Sequence, residues 1–133
     1  MFPLRKRILI RGAKEHVADG LGVAADYQTQ GIWIGDLLSW SKKKLYAPFS
    51  GRCWAWNEKN GGKWVSLKRK NGDVIEMAHL DRRFVNSTER HVKKGTTIAY
   101  TGNSGALTTG SHLHLQIKNK AGKRLDPEKY DFS

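Results

Sequence analysis

From residue 112 the chain reads His-Leu-His-Leu-Gln-Ile, with polar and apolar positions alternating at a period of two. That pattern predicts a strand with one wet face and one buried face. Leu113, Leu115 and Ile117 share the apolar face, and His112 and His114 share the other. Other short β-rich runs precede it, at Leu45–Ala47, Arg52–Trp56, Trp64–Lys68, Val74–Ala78 and Thr97–Tyr100. Turn chemistry separates them. Lys70-Asn71-Gly72-Asp73 is a hairpin signal because Asn-Gly supplies positive φ angles cheaply. Asn57 to Gly62 and Asn119 to Gly122 are further turn-rich links. Close, regular spacing of this kind predicts a mainly β, antiparallel sheet domain.

Helix signals are few. Residues 13–27 suit a short helix, weakened by Gly20 and Gly22. Leu37 to Lys44 has room for one turn of helix or a loop. There is no internal repeat and no low-complexity segment.

Composition narrows the partners. A chain of 133 residues is one domain, large enough to bury its own core. Lysine and arginine number 24 against 12 acids, a net charge of +12, which predicts attraction to nucleic acid, an acidic membrane surface or an anionic wall polymer. The basic clusters at 42–44, 68–70 and 93–94 are spread out, as on a basic surface rather than a nucleic-acid-binding arm. No stacking motif or groove-reading helix is visible, so nucleic acid ranks low. No stretch approaches the ~20 apolar residues of a membrane span. The opening residues have too short an apolar run for a signal peptide. Cys53 is the single cysteine, which excludes an internal disulfide and a four-cysteine zinc site and reads as a small buried hydrophobe.

Two histidines on one strand face suit a metal site, one as ligand and the other for proton transfer or charge stabilisation. Their context is specific. Tyr46-Ala47-Pro48-Phe49-Ser50-Gly51 is followed by Gly61-Gly62, then Ala78-His79-Leu80, Val92-Lys93-Lys94-Gly95 and Thr101-Gly102-Asn103-Ser104-Gly105. Gly110-Ser111-His112-Leu113-His114 and Leu125-Asp126-Pro127 complete the series. In order and spacing this resembles the lysostaphin/LytM-type zinc endopeptidases, which cut peptide cross-bridges in bacterial peptidoglycan. The resemblance covers about residues 31–130 and implies a β domain with a substrate groove, a LytM-like fold of the duplicated hybrid-motif type, over 31–133. Residues 1–30 are then an N-terminal extension with a short helix.

What the resemblance implies for the site is residue-specific. His114 matches the last zinc ligand, and His112 and His79 match the two catalytic histidines. Asp36 matches the aspartate ligand, at the family's distance from Ala47-Pro48. The family's first ligand is a histidine four residues before that aspartate, and there stands Ile32, which cannot ligate a metal. A second frame uses Asp26, but Gly22 then occupies the histidine position. His16 reads as a surface residue unless the chain folds back, in which case it is the substitute ligand. Trp33 and Trp40, flanking Asp36, and Asn103 and Ser104, in the loop, are the groove candidates. His91 reads as solvated surface.

Asp36 and His114 alone make a poor zinc site, since a catalytic zinc takes three protein ligands and keeps a position open. The expectation is therefore a peptidoglycan-directed, LytM-like metallopeptidase domain with a degenerate zinc site, impaired or inactive. The alternatives are an active zinc endopeptidase using a substitute ligand, and a non-enzymatic scaffold that binds the wall or a protein partner. The basic surface suits peptidoglycan or an anionic wall polymer. A signal-free compact chain suggests a phage-encoded lysin, a virion component or a piece of a larger protein acting at the cell wall.

Overall fold

A computed structural model describes residues 1–5, 7, 9–19, 22–28, 42–105 and 112–133. Among these, strands dominate. The elements in chain order are β1 (Leu9–Arg11), α1 (Ala13–Ala18), β2 (Ala25–Gln28), β3 (Lys44–Tyr46), β4 (Gly51–Glu58) and β5 (Gly62–Lys68). They continue with β6 (Val74–Ala78), β7 (Leu80–Arg83), β8 (Arg90–Val92), β9 (Thr97–Thr101), β10 (His112–Lys118) and β11 (Arg124–Leu125). Each predicted strand has its counterpart, several a residue or two longer. The helix expected somewhere in 13–27 is the single short stretch α1. Beyond it Gly22 adopts φ +78°, a glycine conformation that ends helical geometry, and β2 follows.

The main sheet has eight strands in the order β1-β2-β10-β6-β5-β4-β8, with β11 also on β10. A smaller sheet has the order β3-β9-β7. Every pairing is antiparallel. β1 and β2, from the segment read as an extension, thus lie in the same sheet as β10.

The alternation of β10 positions the site. Leu113, Leu115 and Ile117 are fully buried, and their cross-strand partners include Tyr27, Ala25, Met77 and Ile75, all core residues. Burying each such side chain stabilises by about 1.5–3 kcal/mol relative to exposure. A one-residue slip of β10 would exchange these for histidines, so the core fixes the register. That register puts His114 opposite Asp26 on β2 and Ala78 on β6.

Turns fit their residues. Gly72 has φ +95°, and the Asp73 amide donates to Asn71 Oδ1 at 2.9 Å, as an Asn-Gly hairpin requires. The chain ends meet over the core, where Phe2 packs edge-on against Tyr27 and Phe132 at 4.8 and 5.2 Å.

Candidate functional site

Asp26 lies on β2, 8 % exposed, with imidazoles converging on it. Its Oδ1 is 2.9 Å from His114 Nδ1 and 3.7 Å from His112 Nε2, and its Oδ2 is 3.1 Å from His16 Nε2. One ligand atom each from His16, Asp26 and His114 lie within 4.8 Å of one another. Burial opposes ionisation of Asp26, but the hydrogen bond with His114 and the neighbouring imidazoles outweigh it and hold the carboxyl below its usual range.

His16 reaches this point because α1 is folded against expectation. Hydropathy would turn Val17 inward and His16 outward, yet Val17 is 54 % exposed and His16 only 1 %. A six-residue helix has little stability of its own. The Gly12 amide donates to Glu15 Oε2 at 3.0 Å at its start, and the buried histidine ties it to β2. His16 Nδ1 is 2.9 Å from the Gly12 carbonyl oxygen. A carbonyl only accepts, so Nδ1 donates to it, and Nε2 is the nitrogen turned to Asp26.

His114 is arranged in the same way. Its Nε2 is 3.1 Å from Gln116 Oε1, and its Nδ1 faces Asp26. Each histidine thus has an oxygen on its outer nitrogen and turns its inner nitrogen to the carboxylate. Ligand histidines are held by such outer acceptors, which fix the tautomer.

His79 follows β6 directly and is 4 % exposed. It is the only non-glycine among the described residues with positive φ, +61°, a strained conformation of the kind found at functional sites. Its amide donates to the Gly61 carbonyl at 2.8 Å, and its Nδ1 lies 2.7 Å from the Ser104 carbonyl oxygen. The carbonyl therefore holds the proton on Nδ1. Burial, reinforced by the neighbouring His112 and His114 and only partly offset by Ser104, lowers its pKa to about 4. The His79 ring is 4.6 Å from that of His112 and 5.8 Å from that of His114.

The loop carrying Ser104 is held by close glycine packing. A Cβ on Gly62, at φ +71°, would meet the Ser104 carbonyl carbon at 2.5 Å and its Oγ at 2.6 Å. Ser104 Oγ donates to the Leu80 carbonyl at 2.6 Å and accepts from the Lys63 amide at 3.0 Å. Asn103 is exposed beside it.

Of the residues singled out from sequence, His79, His112 and His114 are together, and His16 joins them. Asp26, from the second frame, stands at the centre. Asp36, Ile32, Trp33 and Trp40 lie outside the described residues. Trp56 and Trp64 stack at 4.6 Å as packing, and His91 is exposed on β8. Cys53 is buried, which raises its thiol to about 12 and makes it unreactive at neutral pH. Sequence reasoning missed Gln116, although the period of two already puts it on the face of His112 and His114.

The family model described as peptidase family M23 matches residues 30–127. The peptidoglycan DD-endopeptidase ShyC of Vibrio cholerae serotype O1 is 38 % identical over 63 residues, 47 % of this chain and 14 % of its own. Among solved structures, that of LytU has a TM-score of 0.67 at 28 % identity, covering 92 % of this chain and 83 % of that one. A zinc-containing peptidase from Vibrio cholerae has a TM-score of 0.73 at 22 % identity, covering 98 % of this chain and 39 % of that one. The chain thus spans only a small part of ShyC and well under half of the Vibrio zinc-containing peptidase.

Proposed function

The chain belongs to peptidase family M23, and on that premise we propose that it is a zinc-dependent endopeptidase of peptidoglycan peptides whose metal is held by His16, Asp26 and His114. The observation that carries this reading is the convergence of His16 Nε2 and His114 Nδ1 on Asp26, each with its other nitrogen tied to an oxygen. Two imidazoles and a carboxylate are a donor set that suits zinc and leaves a position open. A zinc ion bound there supplies Lewis acidity, polarising a carbonyl and lowering the pKa of a water.

The remaining residues supply proton handling and orientation. His79 is neutral at neutral pH, with Nδ1–H given to Ser104 and Nε2 bearing the lone pair. It is therefore a proton acceptor at Nε2 for the water that attacks the peptide carbonyl. His112, 4.6 Å from it ring to ring, lies beside Asp26 and stabilises charge developing on the carbonyl oxygen. Asn103 and Ser104 form one wall of the groove, with Trp33 and Trp40 proposed for another. The wall as substrate is supported by the likeness to ShyC, named as a peptidoglycan DD-endopeptidase, and by the net charge of +12, which favours anionic wall polymers. No helix of the described residues is long and apolar enough to cross a membrane.

A second reading keeps the groove for binding alone. It is favoured by Ile32, four residues before Asp36, and by Gly22, four before Asp26, neither of which can ligate. Zinc binding separates the two. The unmodified chain should hold one zinc and release peptides from peptidoglycan, and His16→Ala should weaken zinc binding by more than 100-fold, since even changes outside the ligand set cost 10–100-fold. Asp36→Ala should leave zinc content unchanged. Zinc retained by His16→Ala, or lost with Asp36→Ala, would reject this ligand set; an unmodified chain without zinc or cleavage would favour the scaffold.

A further inference from the structure

The face of the main sheet that carries the histidines also carries a row of buried polar residues. Ser66 on β5, Glu76 on β6 and Gln116 on β10 are 1 %, 7 % and 8 % exposed, and they stand in register, Ser66 opposite Glu76 and Glu76 opposite Gln116. Buried polar side chains lower stability unless paired, so each needs an account. Ser66 Oγ accepts from Trp56 Nε1 at 2.7 Å. Glu76 lies 3.1 Å from Gln116 Nε2 through Oε1 and 3.7 Å from Lys118 Nζ through Oε2. Gln116 then reaches His114 Nε2 with its Oε1.

We infer that Gln116, oriented by Glu76, is a positioning residue that commits His114 to present Nδ1 to the metal. The inference rests on the ligand set proposed above. A carboxylate only accepts, so Glu76 requires the amide nitrogen of Gln116 on its side. The amide oxygen is thereby turned to His114. That oxygen also only accepts, so His114 carries its proton on Nε2. The other ring nitrogen, Nδ1, is thereby the one turned to Asp26 Oδ1, 2.9 Å away. Without metal, a proton on Nδ1 bridges this pair as a hydrogen bond; a metal ion displacing that proton would meet a nitrogen and a carboxylate oxygen already side by side. Glu76 is thus coupled through one amide to the ligand atom of a histidine on the next strand. Lys118, partly exposed, balances the carboxylate from its other side.

This relay has a polarity that can be reversed. Gln116→Leu removes the acceptor from His114 and leaves Glu76 unpaired. The exchange Glu76→Gln/Gln116→Glu restores both hydrogen bonds, with a carboxylate now accepting from His114 Nε2 and an amide at 76 donating to it. The experiment is a chelator competition measuring zinc affinity of the unmodified protein and both variants, with the thermal midpoint of each metal-free protein recorded alongside. Zinc should bind 10–100-fold more weakly to Gln116→Leu. The exchange variant should bind within a few-fold of the unmodified protein, even if its midpoint falls. Zinc affinity unchanged in Gln116→Leu, or lost equally in the exchange variant, would overturn the relay while leaving the ligand set standing. Failure of the unmodified protein to bind zinc would overturn both.

Discussion

At the scale of single residues, the chemistry is set by which atom of each imidazole is occupied. Gly12, Gln116 and Ser104 each supply an oxygen, and each thereby decides where His16, His114 and His79 keep a proton. His79 has a measurable consequence. Its pKa falls from 6.5 to about 4 on folding, so between these values the unfolded chain binds the proton and the native one does not. Stability of the metal-free protein should therefore fall as pH drops from about 6.5 to about 4, with this residue contributing up to about 3 kcal/mol. The sign follows from the unfolded state holding more protons across that window. Denaturant unfolding across this pH range should show a flatter profile for His79→Gln. An unchanged slope would show that burial does not hold this imidazole neutral.

At the scale of elements, the site is made by register and by two close approaches. β10 could be placed from sequence because its apolar positions admit one facing, and that facing delivers His112, His114 and Gln116 together. β6 likewise leads into His79. The partner strand β2 was not legible, since Ala25–Gln28 is short and shows no alternation long enough to see. α1 was half legible. The helix was expected, but its inward histidine and outward valine invert the pattern that sequence reading uses. His16 and Asp26 owe their meeting to long-range strand pairing, which leaves no local signal. The glycine packing between β5 and the 103–105 loop is testable. Gly62→Ala should destabilise by about 1–3 kcal/mol, because it combines a left-handed φ with a Cβ overlapping Ser104. It should also slow peptide release more than its stability loss explains, because the displaced Ser104 carbonyl frees His79. A variant with unaltered activity and midpoint would show that this packing does not hold the histidine.

At the scale of the whole molecule, the fold brings His16 of α1, Asp26 of β2 and His114 of β10 to one spot, with His79 from the end of β6. The N-terminal strands are integral to this arrangement, as β2 is hydrogen-bonded to β10 along the row that holds Asp26 and His114. The family's sequence pattern locates its aspartate by distance from Ala47-Pro48, which favours Asp36. Among the described residues, His16, His112 and His114 gather around Asp26, while Asp36 lies outside them. On the proposed reading the net charge of +12 would favour an anionic wall polymer at long range, but it has no part in placing His16, Asp26 and His114. The central claim is that metal sits among His16, Asp26 and His114. Anomalous diffraction at the zinc edge, on crystals of the zinc-loaded protein, tests it most directly. The account predicts one strong peak bonded to His16 Nε2, Asp26 and His114 Nδ1; a peak bonded to Asp36, or one that leaves His16 uncoordinated, would contradict it.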